Sequence, residues 1–156
     1  MTIILGVDPG TTRCGWGLVE VVHGVLEHRD HGVWESPTDT TQGQRLVRLS
    51  DQITVFLQSR TIAAAAVERL FFGNAASITD IIEARGIILE RLERFAIPTF
   101  NYPPQTIKAA LSHGRASKKE VQQAVTLYFD LAKPPKPDDA ADALAAAVCH
   151  FQHAPF

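Results

Sequence analysis

The chain of 156 residues is 46% hydrophobic and 21% charged, and its net charge at pH 7 is −2. These values are typical of one globular domain spanning residues 1–156, and they exclude extended disorder. The longest uncharged apolar run, residues 143–149, is too short for a membrane span of roughly 20 residues, and no signal-peptide pattern opens the chain, so we expect a cytoplasmic protein.

Three strands open the predicted structure, and turn signals separate them. Short apolar runs predict the strands Thr2–Val7, Gly15–Val22 and Val25–Val33, with turns at Asp8-Pro9-Gly10 and at His23-Gly24. We expect these strands to form an antiparallel meander, and residues 37–43 to form a loop after it.

Helices and strands alternate along the rest of the chain. Apolar residues at helical spacing predict helices at Gln44–Ser59, Ser77–Phe95, Gln105–Leu111, Ser117–Phe129 and Asp138–His150. The stretch Thr61–Glu68 contains alanines that favour helix, but its shortness and its place between two helices predict a buried parallel strand, and Ile97–Tyr102 is predicted to be a short strand. This order predicts an α/β fold in which a five-stranded mixed sheet, three antiparallel strands followed by parallel strands, has helices on both faces.

Four acidic residues are predicted to converge at one edge of this sheet. Right-handed crossovers place the first and fourth strands side by side at its centre, so Asp8 and Glu68, which close them, emerge together where open α/β sheets bind ligands. Asp139 and Asp142 share one face of the last helix. Clustered carboxylates repel one another unless a cation neutralises them, and oxygen ligands select Mg²⁺ or Mn²⁺. A pair of such ions can clamp the attacking and leaving oxygens of a phosphodiester.

Taken singly, each acid is explained more simply by a structural role. Asp8 belongs to a turn signal, Glu68 can reach solvent from a strand end, and Asp138 and Asp139 can cap the last helix. The joint pattern of two strand-end acids and a helical pair is what favours a metal site.

The charge of the chain is unevenly distributed. A basic segment, Asn101–Lys136, contains six basic and two acidic residues, whereas the rest of the chain is acidic. Such a segment can bind a polyanion, although a solvated helical face is the simpler explanation from charge alone.

Five stretches of the sequence are similar to one known family. They are IILGVDPGTTRCGWGLV, AAVERLFFGNAAS, IIEARGIIL, QTIKAALSHGRASKKEVQ and PDDAADALAAAVCH. In this order they resemble the RuvC family of Holliday junction resolvases, members of the ribonuclease H-like superfamily. The resemblance implies a homodimer that makes paired, symmetric nicks in a four-way DNA junction, with Mg²⁺ or Mn²⁺, two ions per active site, and with RuvA and RuvB as the branch-migration partners.

The resemblance also assigns residues by position. The family's metal-binding acids fall on Asp8, Glu68, Asp139 and Asp142, and the third of these positions is histidine in part of the family. Its junction-stacking aromatic falls on Phe71, beside Phe72, in a loop about one residue shorter than in relatives. Its basic DNA-contacting region matches Lys108, Lys118 and Lys119, with Arg115 and Arg69 as weaker matches. The helix that lies at the dimer interface in the family matches the predicted helix Ser77–Phe95, which contains Gly86.

Each of these matches has a simpler structural explanation. The two phenylalanines can be core residues, the cations can serve solubility, and Gly86 can pack against the sheet of its own chain.

Three other functions stay open. The same nuclease chemistry on RNA or on an RNA–DNA hybrid fits the residues equally well. The segment Gly6-Val7-Asp8-Pro9-Gly10-Thr11-Thr12 also resembles the first phosphate loop of actin-like sugar kinases and ATPases, but the second loop of that superfamily is missing. A junction-binding module without catalysis is the third, and the presence of all four acids argues against it.

Overall fold

The strands of the protein form one mixed sheet in a computed structural model that describes residues 1–70 and 78–154. They are β1 (Thr2–Asp8), β2 (Arg13–Val22), β3 (Val25–Glu35), β4 (Ala64–Glu68) and β5 (Thr99–Tyr102). The order across the sheet is β3-β2-β1-β4-β5, with β1 antiparallel to β2 and parallel to β4. This confirms the predicted five-stranded sheet, with the first and fourth strands adjacent at its centre.

Helices cover both faces of the sheet, as predicted. They are α1 (Gln42–Gln58), α2 (Ile78–Arg94), α3 (Pro104–Leu111), α4 (Lys118–Tyr128) and α5 (Asp138–His153). The core on one face joins α1 and α2 to Leu5 and Val7 of β1, and the core on the other face joins α3, α4 and α5 to Ile4. None of the helices in the described ranges is long and apolar enough to cross a membrane.

Most predicted element boundaries are shifted by one to three residues in the structure, and two of these shifts have a specific cause. Helix α1 begins at Gln42 rather than Gln44, because the Thr41 side chain accepts from the Gln44 amide while the Gln44 side chain accepts from the Thr41 amide. Strand β2 begins at Arg13 rather than Gly15, because its first residues pair with the end of β3 at Glu35. The second difference brings Arg13 to the functional edge of the sheet.

Helix α5 lies unusually close to the centre of the sheet. Alanines fill its buried face, and glycines face it from the strands. A Cβ atom on Gly6 would lie 1.8 Å from the Ala143 carbonyl oxygen, and one on Gly15 would lie 2.0 Å from the Asp139 carbonyl oxygen. The backbone of α5 therefore rests directly on β1 and β2, which holds the first turns of this helix over the carboxyl edge of the sheet.

Candidate active site

Strand geometry brings Asp8 and Glu68 side by side. The parallel ladder between β1 and β4 ends with the pair Val7 and Val67, so the two acids follow next to each other at the edge. Side chains alternate between the faces of a sheet, which places Asp8 on the face of Ile4 and Glu68 on the face of Ala66. Both Ile4 and Ala66 belong to the core under α5. The two carboxylates thus face the N-terminal end of that helix.

The other two acids complete the group from α5. Asp142 lines, together with Asp8 and Glu68, a cleft of about 150 Å³. Asp139 lines an adjoining recess that Asp8 shares. The structure therefore brings all four acids predicted from the sequence to one place.

Two cations of the chain lie among these carboxylates. The Lys118 Nζ lies 3.3 Å from Asp138 Oδ2 and 3.5 Å from Asp142 Oδ2, and the Arg13 Nε lies 3.4 Å from Asp139 Oδ2. The arginine contact is an ion pair without hydrogen-bond geometry, because Asp139 Oδ2 is buried and accepts no hydrogen bond. The interpretation of Asp138 as a helix cap is wrong, since Pro137 occupies the N-cap position and the Asp138 carboxylate pairs with Lys118.

Burial and mutual repulsion make the carboxylates reluctant to ionise. Burial, and then the charges of Glu68, Asp142 and Asp139, raise the pKa of Asp8 well above its ordinary value. Burial, and then the charge of Asp142, raise the pKa of Glu68 to about 7, and burial also raises the pKa of Asp142. Burial lowers the pKa of Lys118, but the surrounding carboxylates outweigh it and raise that pKa overall. The site thus carries more negative charge than its own cations neutralise.

The donor set fits a hard divalent cation. All four side chains are carboxylates, which Mg²⁺ and Mn²⁺ prefer, and Asp139 contributes a buried oxygen that lacks a hydrogen-bond donor. Within residues 1–70 and 78–154, no three His, Cys, Asp or Glu side chains are already arranged around a common metal position. Lys118 and Arg13 currently neutralise part of the negative charge, through their ion pairs with Asp142 and Asp139.

The metal-free protein should lose stability as the pH rises from about 4.5 to about 7. The pKa of Glu68 is 4.5 in its ordinary state and about 7 in the folded protein, so the folded state binds more protons than the unfolded state between these values. By linkage the free energy of unfolding then falls with rising pH, by on the order of 3 kcal/mol in total, of which about 2 kcal/mol is lost between pH 5.5 and pH 8. Urea unfolding in EDTA at pH 5.5 and pH 8 measures this difference. If the free energy of unfolding of Glu68→Gln fell between these two pH values by as much as that of the wild type, the effect would not come from Glu68.

Only some of the DNA-contacting residues expected from the resemblance lie at this site. Lys108 and Lys118 line the cleft with the acids, whereas Arg115 and Lys119 are exposed near the start of α4 and do not line it. Phe71 and Phe72 lie outside the described residues.

Arg13 is a residue of the site that the sequence analysis missed. It lies in the middle of a quoted motif, five residues after Asp8, and its place depends on where β2 begins. The available signal was that β2, if it is antiparallel to β1, must begin beside the carboxyl end of β1, where Asp8 lies.

The sheet order, the helices on both faces and the carboxylates at the carboxyl edge define a nuclease of the ribonuclease H-like class. Within that class, the model of the family described as crossover junction endodeoxyribonuclease RuvC matches residues 4–150. The chain belongs to the RuvC family. Nucleases of this family depend in general on divalent metal ions.

Individual relatives match over nearly their whole length. The chain is 42% identical to the crossover junction endodeoxyribonuclease RuvC of Roseiflexus sp. (strain RS-1), over 99% of this chain and 93% of the relative. It is also 42% identical to that of Thermotoga petrophila, over 94% of this chain and 90% of the relative.

Solved structures of RuvC are also similar to this chain over nearly its whole length. Thermus thermophilus RuvC superposes with a TM-score of 0.85 at 29% identity, over 97% of this chain and 95% of that one. The structure of T. thermophilus RuvC in complex with Holliday junction substrate also has a TM-score of 0.85, at 28% identity, over 98% of this chain and 95% of that one. Neither the RNA–DNA hybrid nuclease nor the actin-like ATPase is favoured by these comparisons.

Proposed function

We propose that this chain is a crossover junction endodeoxyribonuclease, which resolves Holliday junctions by paired symmetric nicks in DNA recombination and repair. The observation that carries the proposal is the single cleft in which Asp8, Glu68 and Asp142 face Lys108 and Lys118. Family membership and the similarity to a RuvC structure with junction substrate support it. In this proposal residues 1–156 act as one nuclease domain in the cytoplasm.

Four side chains of the site would hold the metal. Asp8, Glu68, Asp139 and Asp142 have the carboxylate chemistry for it. The raised pKa values of Asp8, Glu68 and Asp142 mean that ion binding would displace protons from these groups. Once bound, divalent ions, in our proposal two Mg²⁺ or Mn²⁺ per site, supply Lewis-acid stabilisation of the attacking and leaving oxygens of the phosphodiester.

The cations of the cleft act on the DNA backbone in this proposal. Lys118 remains charged at all working pH values because the neighbouring carboxylates raise its pKa, and its Nζ lies 3.5 Å from Asp142 Oδ2, in the cleft where we propose that the scissile phosphate sits. Its ammonium group, with that of Lys108, would stabilise the charge that develops on the phosphate oxygens. Arg115 and Lys119 would contact phosphates further from the cut, and Phe71 or Phe72 would stack on bases at the crossover.

We also propose a homodimer formed through α2. Gly86 lies in the middle of this helix, where glycine costs about 1 kcal/mol relative to alanine. A Cβ atom there would meet no atom of residues 1–70 and 78–154 within 4 Å, so packing against the sheet does not explain the glycine. Ile82, one turn earlier, is 47% exposed. A second copy would cover this open face, and a two-fold dimer would supply the two active sites that paired nicks require.

The substitution Gly86→Arg should convert the dimer to a monomer without unfolding the chain. Arginine is the better helix former by nearly 1 kcal/mol, and open space surrounds the position within the chain. Sedimentation equilibrium gives the mass, with Leu127→Arg, an 82% exposed position on α4, as the control. A G86R protein that stays dimeric at the wild-type dissociation constant would refute this interface.

A panel of substrates tests the proposed activity. Labelled four-way junction, linear duplex DNA and RNA–DNA hybrid of matched sequence are incubated with the protein in Mg²⁺ and in Mn²⁺. We expect nicking of the junction alone, and none in EDTA. Cleavage of the hybrid in preference to the junction would replace the proposed function with a ribonuclease activity. Adding RuvA and RuvB, the proposed branch-migration partners, should increase the rate on a junction that can migrate.

A further inference from the structure

A second cleft opens beside the acidic site, on the opposite face of the sheet from Lys108 and Lys118. It has a volume of about 400 Å³, and its lining includes Arg13, Arg48 and the hydroxyl residues Thr12, Ser36 and Thr38. The Ser36 amide donates to the Thr12 carbonyl at 2.9 Å, which joins the start of β2 to the end of β3. The floor of this cleft is therefore fixed by the fold.

The two arginines are held differently. The Arg48 Nε donates to the Glu35 carbonyl at 3.0 Å, and the guanidinium group forms no ion pair with any carboxylate of residues 1–70 and 78–154. The Arg13 side chain is 49% exposed, contacts Asp139 and lines both this cleft and the recess of the acidic site. Arg13 thus joins the two sites, and Arg48 offers a charge that has no counter-ion in the part of the chain that the structure describes.

One acidic side chain also lines the cleft and opposes binding of an anion. Glu35 is exposed at the end of β3, and its carbonyl accepts hydrogen bonds from both Arg48 and Gln52. Because Asp139 already pairs with Arg13, the charges that remain at the cleft are those of Arg48 and Glu35, and a phosphate would compete with these two carboxylates for the guanidinium groups.

We infer that this cleft, which we call the arginine cleft, binds a backbone phosphate of the DNA strand next to the phosphate that is cut. Guanidinium groups bind phosphate oxygens in a fork geometry, and hydroxyl groups at the rim add donors. A strand that passes over the carboxyl edge meets Lys108 and Lys118 on one side of the acids and Arg13 and Arg48 on the other. The cations on the two sides would fix the register of the strand over the acids, because phosphate contacts set position without reading sequence. The inference rests on the proposed function.

Because the protein should not cleave without divalent metal, junction binding in EDTA measures the contact between the arginine cleft and the DNA separately from cleavage. Fluorescence anisotropy with a labelled four-way junction in EDTA, at several salt concentrations, gives the dissociation constant and its salt slope. Arg48→Gln should weaken binding about fivefold near 0.1 M salt and reduce the log–log slope by about 0.9, the value for one lost phosphate contact. Arg48→Lys should restore most of the slope. Glu35→Gln should strengthen binding. Arg48 is the better probe because replacing Arg13 would also disturb Asp139.

The matched control is Arg60→Gln, which removes the same charge beyond the far end of α1, where Arg60 stacks over the Phe56 ring at 4.0 Å. Equal thermal unfolding temperatures show that the variants are folded. If Arg48→Gln binds the junction as tightly as the wild type, or loses no more affinity for it than Arg60→Gln does, the arginine cleft is not a phosphate site. A wild-type protein that neither binds nor cuts junctions would instead contradict the proposed function.

Discussion

Replacing Asp8 with asparagine is expected to abolish junction cleavage and to stabilise the metal-free protein. Asp8 lies at the centre of the acid group, where burial and three neighbouring carboxylates raise its pKa. The amide keeps the shape of the side chain but loses the charge that holds a divalent ion. Because Lewis-acid stabilisation is worth several kcal/mol, we expect the rate to fall by about 10³-fold or more. Removing one of several mutually repelling charges should at the same time raise the unfolding temperature at pH 8 in EDTA.

Two measurements separate these effects. Single-turnover cleavage of a labelled junction gives the rate, and calorimetry in EDTA gives the unfolding temperature. Asp51→Asn, at an exposed acid of α1, is the matched control and should change neither quantity. An Asp8→Asn protein that cleaves at the wild-type rate would remove Asp8 from the active site. One that is inactive but less stable than the wild type would contradict the repulsion among the acids.

Replacing Gly6 with alanine should strongly destabilise the fold. The added Cβ would lie 1.8 Å from the Ala143 carbonyl oxygen, which belongs to the rigid backbone of α5 and has no side-chain freedom to give way. Ordinary overpacking costs about 1–3 kcal/mol, and a contact with backbone lies at or beyond the upper end of that range. We therefore expect a loss of about 3 kcal/mol or more, measured by urea unfolding. Since α5 carries Asp139 and Asp142, any folded fraction should also cleave poorly.

The control for this effect is Gly43→Ala. Gly43 lies in the first turn of α1, and a Cβ atom there meets nothing within 4 Å. The same chemical change should leave stability unchanged or raise it by up to about 1 kcal/mol. Equal stabilities of Gly6→Ala and Gly43→Ala would show that α5 does not lie as close to the sheet as described.

The architecture was predictable because its signals are local or follow general topology rules. Turn residues bound β1, apolar spacing marks α1 and α2, and right-handed crossovers are enough to place β4 beside β1. The convergence of Asp8 and Glu68 with Asp139 and Asp142 follows from this topology once α5 is placed over the carboxyl edge.

What the sequence did not reveal depends on pairing at the ends of elements and on contacts between distant segments. Thr41 and Gln44 move the start of α1 by two residues through a capping box, and pairing with Glu35 moves the start of β2 to Arg13. The Arg13 contact with Asp139 joins residues 126 positions apart in the chain, and no periodicity encodes it. The count of charges favours the basic segment Asn101–Lys136 and gives no reason to single out Arg48, which lies outside it.

We expect a symmetric pair of these carboxylate sites to cut a four-way junction. The most direct test is strand-resolved cleavage of a junction with each of its four strands labelled in turn, in Mg²⁺, under single-turnover conditions. We predict nicks in two opposite strands at the same distance from the crossover, none in the other two strands, and none with Asp8→Asn. Cuts distributed over all four strands, or equal cutting of the matching linear duplex, would contradict the account.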